Sequence, residues 1–228
     1  MEKTIVILTA AHVLGDFLFQ NDWLAKRKGQ LPYLLLHGLI HALVAYLLYQ
    51  AWTAWSLPVA IFVVHLAIDA TKQRVAPDSA RGFLLDQGAH LASLAGIGWL
   101  FTEQGWLPEF SGAGYIPMVV AAGFVATVLG AGYFIGKVAG RMKEENDLQI
   151  EGLLNGGAMI GNLERALIFL FLFINEPMGI GFLVAAKSIL RFEEAKKQKL
   201  AEYVLIGTLL SFSTAIAIAS ATKWALGL

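Results

Sequence analysis

The chain contains no cysteine, only 15% charged residues, and no net charge. The first absence removes disulfides, thiolate metal ligands and cysteine nucleophiles together. The charge balance gives no basic patch and no argument for a nucleic-acid partner. Low-complexity tracts are missing as well, and the linkers are too short to hold a soluble domain. No serine or cysteine nucleophile motif stands out. What remains is 57% apolar in 228 residues, more than a soluble domain of this size buries.

The apolar stretches fall near 4–20, 31–50, 55–73, 82–102, 115–138, 156–175, 178–191 and 201–222. Each is comparable to the roughly 20 residues that cross a hydrocarbon core. The expected fold is therefore all-α, a polytopic integral membrane bundle of about eight helices. It divides into a four-helix metal-binding half (1–102) and a four-helix C-terminal half (103–228) within a single membrane domain. The seventh segment is short and either spans or re-enters. The first is not a cleavable signal peptide, because polar residues lie within its apolar run.

Lysine and arginine mark every second connection: Lys26, Arg27, Lys28; Lys72, Arg74, Arg81; Lys137, Arg141, Lys143; and Arg191, Lys196, Lys197, Lys199. Positive residues stay cytoplasmic. Both termini are thus expected on the non-cytoplasmic side of a bacterial inner membrane.

All five histidines lie four residues from another histidine or an aspartate: His12 and Asp16, His37 and His41, His65 and Asp69, Asp86 and His90. Residues at this interval share one face of a helix, one turn apart, which lets one helix offer two ligands to a metal. With the orientation set by lysine and arginine, all four pairs fall within roughly two to three turns of the cytoplasmic boundary. A carboxylate at mid-bilayer costs about 2.5–3.5 kcal/mol. Structural zinc sites supply roughly 10–16 kcal/mol. Two divalent ions against three carboxylates leave one positive charge, enough to hold a hydroxide or an anionic group. The expected cofactor is a divalent metal, two ions, with zinc, manganese and iron all compatible with imidazole and carboxylate ligands.

Gln20, Lys72 and Gln87 are expected to support the ligands from outside, although Lys72 fits equally well as a boundary anchor. Asp16, Asp69 and Asp86 are the candidate proton acceptors. In the second half, Gly132, Gly136 and Gly140, Gly152 with Gly156, and Gly157 with Gly161 repeat at the spacing that lets helices pack closely. Asn162, Glu164 and Arg165 interrupt one apolar helix and Lys187 another. They form a buried ion pair, or Arg165, Lys187 and Arg191 bind an anionic head group.

The stretches "AHVLGDFLFQ", "LLLHGLIHAL", "HLAIDATKQ" and "FLLDQGAHL", followed by "GNLERALIF", "GFLVAAKSILRFEE" and "EYVLIGTLLSF", resemble a bacterial membrane family of unknown function, number 3307. The resemblance runs over almost the whole chain and implies no reaction. The N-terminal pairs also resemble, more loosely, bacterial membrane-bound metal-dependent hydrolases. That resemblance implies a hydrolytic role for His12, Asp16, His37, His41, His65, Asp69, Asp86 and His90.

The expected function is a membrane-embedded, metal-dependent hydrolase at the cytoplasmic side. Its expected substrate is lipid-linked, a phosphoester or pyrophosphate in preference. A membrane di-iron oxidase or hydroxylase acting on acyl chains and a metal-ion or proton-coupled transporter are the alternatives. Clustering of the pairs on one side argues against transport. The oligomeric state is left open.

Overall fold

The computed structural model describes residues 1–75, 78–112, 114–148, 153, 155–190 and 198–228. Among them every regular element is helical. They form two compact units, Met1–Val125 and Ala126–Leu228. The division falls inside a helix, whereas the sequence suggested a boundary at 102/103.

In the N-terminal unit, α1 (Glu2–Leu14) runs directly into a π-helical turn, Gly15–Phe19. A short helix follows, α2 (Asp22–Ala25), whose N-terminus is capped by the Asn21 side chain accepting from the Leu24 amide at 2.9 Å. Then come α3 (Leu31–Tyr49), α4 (Ser56–Val75), α5 (Ala80–Glu103) and α6 (Tyr115–Val125). Pro32 opens α3, where its missing N–H costs nothing. Ser79 caps α5 by accepting from the Gly82 amide. Helix α1 packs on α3, α5 and α6, and α4 lies between α3 and α5. Close approach depends on glycine at two points. A Cβ on Gly38 would meet the Phe62 ring at 3.3 Å, and one on Gly98 would meet Ile5 at 3.2 Å. The Tyr49 hydroxyl joins α1 to the segment after α5, lying 2.9 Å from Thr4 and donating to the Pro108 carbonyl.

The sidedness of α3 is the reverse of a soluble helix. Its buried stripe contains His37, Gly38, His41, Ala42 and Ala45, while Leu31, Leu35, Leu36, Leu39, Leu43 and Leu47 are exposed. Polar and small residues inside with leucines outside is the pattern of a helix whose solvent is lipid.

The C-terminal unit begins with a second π-helical turn, Ala126–Gly130, and continues through α7 (Ala131–Glu145), α8 (Gly156–Phe173), α9 (Met178–Leu190) and α10 (Gln198–Ala225). Its core joins Ile168 of α8 to Phe212 and Ala215 of α10, with Ile180 and Leu183 of α9 against them.

Four helices among the described residues are long and apolar enough to cross a membrane: Leu31–Tyr49, Tyr115–Glu145, Gly156–Phe173 and Gln198–Ala225. This replaces the eight crossings expected. The shortfall has two causes. Helices α1 and α9 have only 13 residues each in α-helical form, about 20 Å of rise. Helices α4 and α5 are long, but the first carries His65, Asp69, Lys72, Gln73 and Arg74, and the second Arg81, Asp86, Gln87 and His90. The polar residues that mark the candidate site lower the hydropathy of the segments that carry it.

Candidate metal centre

The four pairs converge. Five imidazoles from α1, α3, α4 and α5 form one contiguous cluster. The His41 ring centroid is 3.8 Å from that of His65, His65 is 4.3 Å from His90, His37 is 4.5 Å from His41, and His12 is 4.8 Å from His90. All five are buried, as are Asp69 and Asp86, and the Asp16 side chain is only 12% exposed.

Two overlapping sets of donor atoms result, Asp16 with His37, His41 and His65, and His65 with Asp69 and His90. Asp16 Oδ1 lies 3.2 Å from His41 Nε2 and 3.3 Å from His37 Nε2. Asp69 Oδ2 is 3.6 Å from both His37 Nε2 and His65 Nε2. Two ligands on a tetrahedral ion at about 2.0–2.1 Å must themselves stand roughly 3.3–3.4 Å apart. The spacing around Asp16 matches that requirement.

Many of these atoms lack hydrogen-bond partners. His12 Nε2, both nitrogens of His37, His65 Nε2, Asp69 Oδ2, Asp86 Oδ1 and His90 Nε2 are buried without an aligned partner. The His37 and Asp16 contact, though short, is not directed as a hydrogen bond. Each such group costs about 1–3 kcal/mol, so a cluster this size calls for an occupant. A buried His/Asp cluster of this composition can hold a metal ion.

The supporting residues are specific. His90 Nδ1 is 3.0 Å from the Asp86 carbonyl oxygen. A carbonyl only accepts, so Nδ1 carries the proton and Nε2 keeps its lone pair towards the cluster. Gln87 donates to Asp16 Oδ2 at 2.8 Å. Lys72 lies 2.6 Å from Asp86 Oδ2. Gly15, the first residue of the π turn, leaves room for His41: a Cβ there would stand 2.4 Å from its ring. The widened turn also carries Asp16, in keeping with the frequent use of such turns at functional sites.

Six of the eight expected ligands thus belong to the two donor sets. His12 stands beside them, its Nε2 3.5 Å from Asp16 Oδ2. The Asp86 carboxylate faces Lys72, and its backbone orients His90. Gln20 accepts from Lys28 at 3.1 Å and meets the site through that residue. Lys28 is the residue that sequence reasoning left out of the site. Its Nζ is 2.8 Å from Asp69 Oδ2, an ionic contact not aligned as a hydrogen bond, and its carbonyl accepts from Gln73. No spacing rule reaches it, because it lies in a loop. With Lys28 and Lys72 in contact, the charge count changes: three carboxylates and two ammoniums leave one negative charge before any ion enters.

On the helix side away from the lysines, a cavity borders His12, His41, His65 and His90 and is otherwise mostly apolar, with Leu8, Ala45 and Ile61 in its wall.

The residues expected to bind an anion are placed differently. Arg165, in the C-terminal unit, donates to the Val128 carbonyl, to Ser211 Oγ at 2.9 Å and to Asn162 Oδ1 at 2.6 Å. Lys187 pairs with Glu164 at 2.7 Å. The Lys187 and Glu164 contact is the ion pair between helices that the sequence left open, and Arg165 is held by neutral acceptors of the same unit, one of them, Asn162, on its own helix. Arg191 lies outside the described residues. Gly132 and Gly161 make room for Arg165, whereas a Cβ on Gly136, Gly140 or Gly157 would meet nothing within 4 Å. Gly152 lies outside the described residues. The glycine repeat therefore accommodates one guanidinium instead of forming a continuous seam.

The fold and cluster define a helical, membrane-type protein with a buried histidine and aspartate centre. Residues 4–110 match the model of DUF3307, a family described as a protein of unknown function. The match takes in all eight residues of the pairs and stops short of the C-terminal unit, so the likeness expected beyond residue 110 is not part of it. No curated protein and no solved structure matches the chain.

Proposed function

We propose that the N-terminal unit binds divalent metal and uses it to hydrolyse a lipid-linked phosphoester at the cytoplasmic face of a bacterial inner membrane. The carrying observation is the convergence of buried imidazole and carboxylate donors from four helical segments into two overlapping sets, with His37, His65, Asp69 and His90 each burying an atom that has no aligned partner. Asp16, His37, His41 and His65 form the tighter site. Asp69 and His90, sharing His65, complete a second when water or substrate oxygens fill the remaining positions. Zinc, manganese and iron all suit these donors. Bound metal lowers the pKa of a water and stabilises the developing oxyanion. Among the carboxylates, Asp69 lies against His37 of the first set and His65 of both, and Asp16 belongs to the first; these two are the candidate proton acceptors.

Charge favours a phosphate. Two ions added to three carboxylates and two lysines bring the centre to three positive charges, which a hydroxide and a phosphomonoester dianion cancel. The lysine-marked connections favour a cytoplasmic centre and termini on the opposite face.

The experiment is elemental analysis of the full chain purified in detergent, paired with phosphate release from a lipid phosphomonoester in mixed micelles. The reading expects one to two divalent ions per chain and release that disappears with them in His37→Ala/His41→Ala. Metal-free protein after reconstitution with zinc, manganese and iron would overturn it.

Imidazoles and carboxylates paired on facing helices also suit a second reading, a di-iron oxidase acting on acyl chains. Iron as the bound metal and consumption of dioxygen with a reductant would select it.

A further inference from the structure

Lys28 sits between α2 and α3, held by its backbone carbonyl to Gln73 Nε2 at 2.7 Å. Its side chain is 15% exposed, and its ammonium bridges Gln20 Oε1 and Asp69 Oδ2. Asp69 Oδ2 is also the oxygen equidistant from His37 Nε2 and His65 Nε2. One oxygen thus faces a tethered cation on one side and two metal-ligand nitrogens on the other. Lys72 differs. Its partner, Asp86, belongs to neither donor set, and its side chain is 37% exposed.

We infer that Lys28 competes with a divalent ion for Asp69 Oδ2, and that the ammonium released by the ion binds the phosphate group of the substrate. The inference rests on the metal reading above and adds to it the group that recognises the anion. Three features carry it. The ammonium is a compact cation with three donors on a flexible stem. The Gln73 contact pins the loop, so a displaced ammonium stays at the rim of the centre. Gln20 offers it a neutral acceptor once Asp69 is taken. Metal and phosphate then bind with positive coupling, each favouring the arrangement that the other requires.

The test uses full-length protein in micelles, with free manganese(II) followed by its electron paramagnetic resonance signal. Inorganic phosphate is followed by manganese-induced relaxation of its phosphorus resonance. Lys28→Met should bind manganese about tenfold more tightly than wild type, because an opposing charge in contact with a carboxylate is lost. The metal-loaded variant should lose phosphate relaxation. Lys28→Arg, which keeps the charge, should preserve it. Lys72→Met removes the same charge from a carboxylate outside the donor sets, and should change manganese affinity by less than about threefold. Equal effects of the two methionine variants, or unchanged phosphate relaxation in Lys28→Met, would overturn the inference while leaving the metal centre standing. Failure of wild type and all variants to bind manganese, zinc or iron would remove both. Phosphatidic acid added to the micelles identifies the source of the anion. Displacement of inorganic phosphate assigns a lipid head group, and retention assigns free phosphate; both outcomes support the role of Lys28.

Discussion

In the C-terminal unit, the buried guanidinium of Arg165 reaches a carbonyl, a hydroxyl and an amide oxygen, and Glu164 meets Lys187. In the N-terminal unit, four of five histidines and two aspartates bury atoms with no aligned partner. Both units place charge among apolar helices, and only one completes its hydrogen bonding from within. A satisfied buried network fixes the packing of the helices that contribute to it. An unsatisfied one built from imidazole and carboxylate has donors left for something that is not protein.

The strongest way to break this contrast is to remove ligands from the open cluster. His37→Ala/His41→Ala should lower metal affinity by more than about a thousandfold, read by equilibrium dialysis, because two of the four donors in the set that includes Asp16 disappear. Comparable metal retention would place the ion elsewhere. The closed cluster should respond in stability instead. Arg165→Met should cost about 3 kcal/mol in denaturant unfolding, with metal affinity unchanged.

Two glycine substitutions sharpen the contrast. Gly15→Ala puts a Cβ into the His41 ring and Gly132→Ala puts one 2.5 Å from an Arg165 nitrogen. The first should weaken metal binding about 10- to 100-fold, as misplacing a ligand does. The second should lower the melting temperature and leave metal affinity alone. Gln87→Leu, which frees Asp16 Oδ2, should weaken metal binding roughly tenfold. The smallest effect belongs to Gly136→Ala. With open space around the Cβ, it should stabilise by under about 1 kcal/mol through helix propensity.

The candidate ligands were legible because chemistry imposes a period: two side chains on one helix face require an interval of about four, and every histidine obeys it. Lysine and arginine placement led to the expectation of a common depth for the pairs, in keeping with the convergence of their side chains. Lys28 was not legible, since a loop residue reaches its partner by tertiary folding and carries no period. The π turn at Gly15 was hidden for a related reason, because i,i+4 spacing describes a regular helix and conceals a local widening. Span counting ran too high at α4 and α5 because their apolar runs were counted without the charged and polar residues that the same helices carry. The glycine repeat misled because spacing says which residues share a face and leaves open what that face meets.

The wide turn at Gly15–Phe19 has one consequence for how sequences of this kind tolerate change. Each residue of an α-helix advances the chain by about 100°. Deleting Gly15, the one residue of that turn that precedes the aspartate, would be harmless in a surface loop but here would rotate Asp16 by about that angle against Leu14 and away from the imidazoles on α3. Insertions and deletions there are accordingly the lesions that the first helix can least absorb.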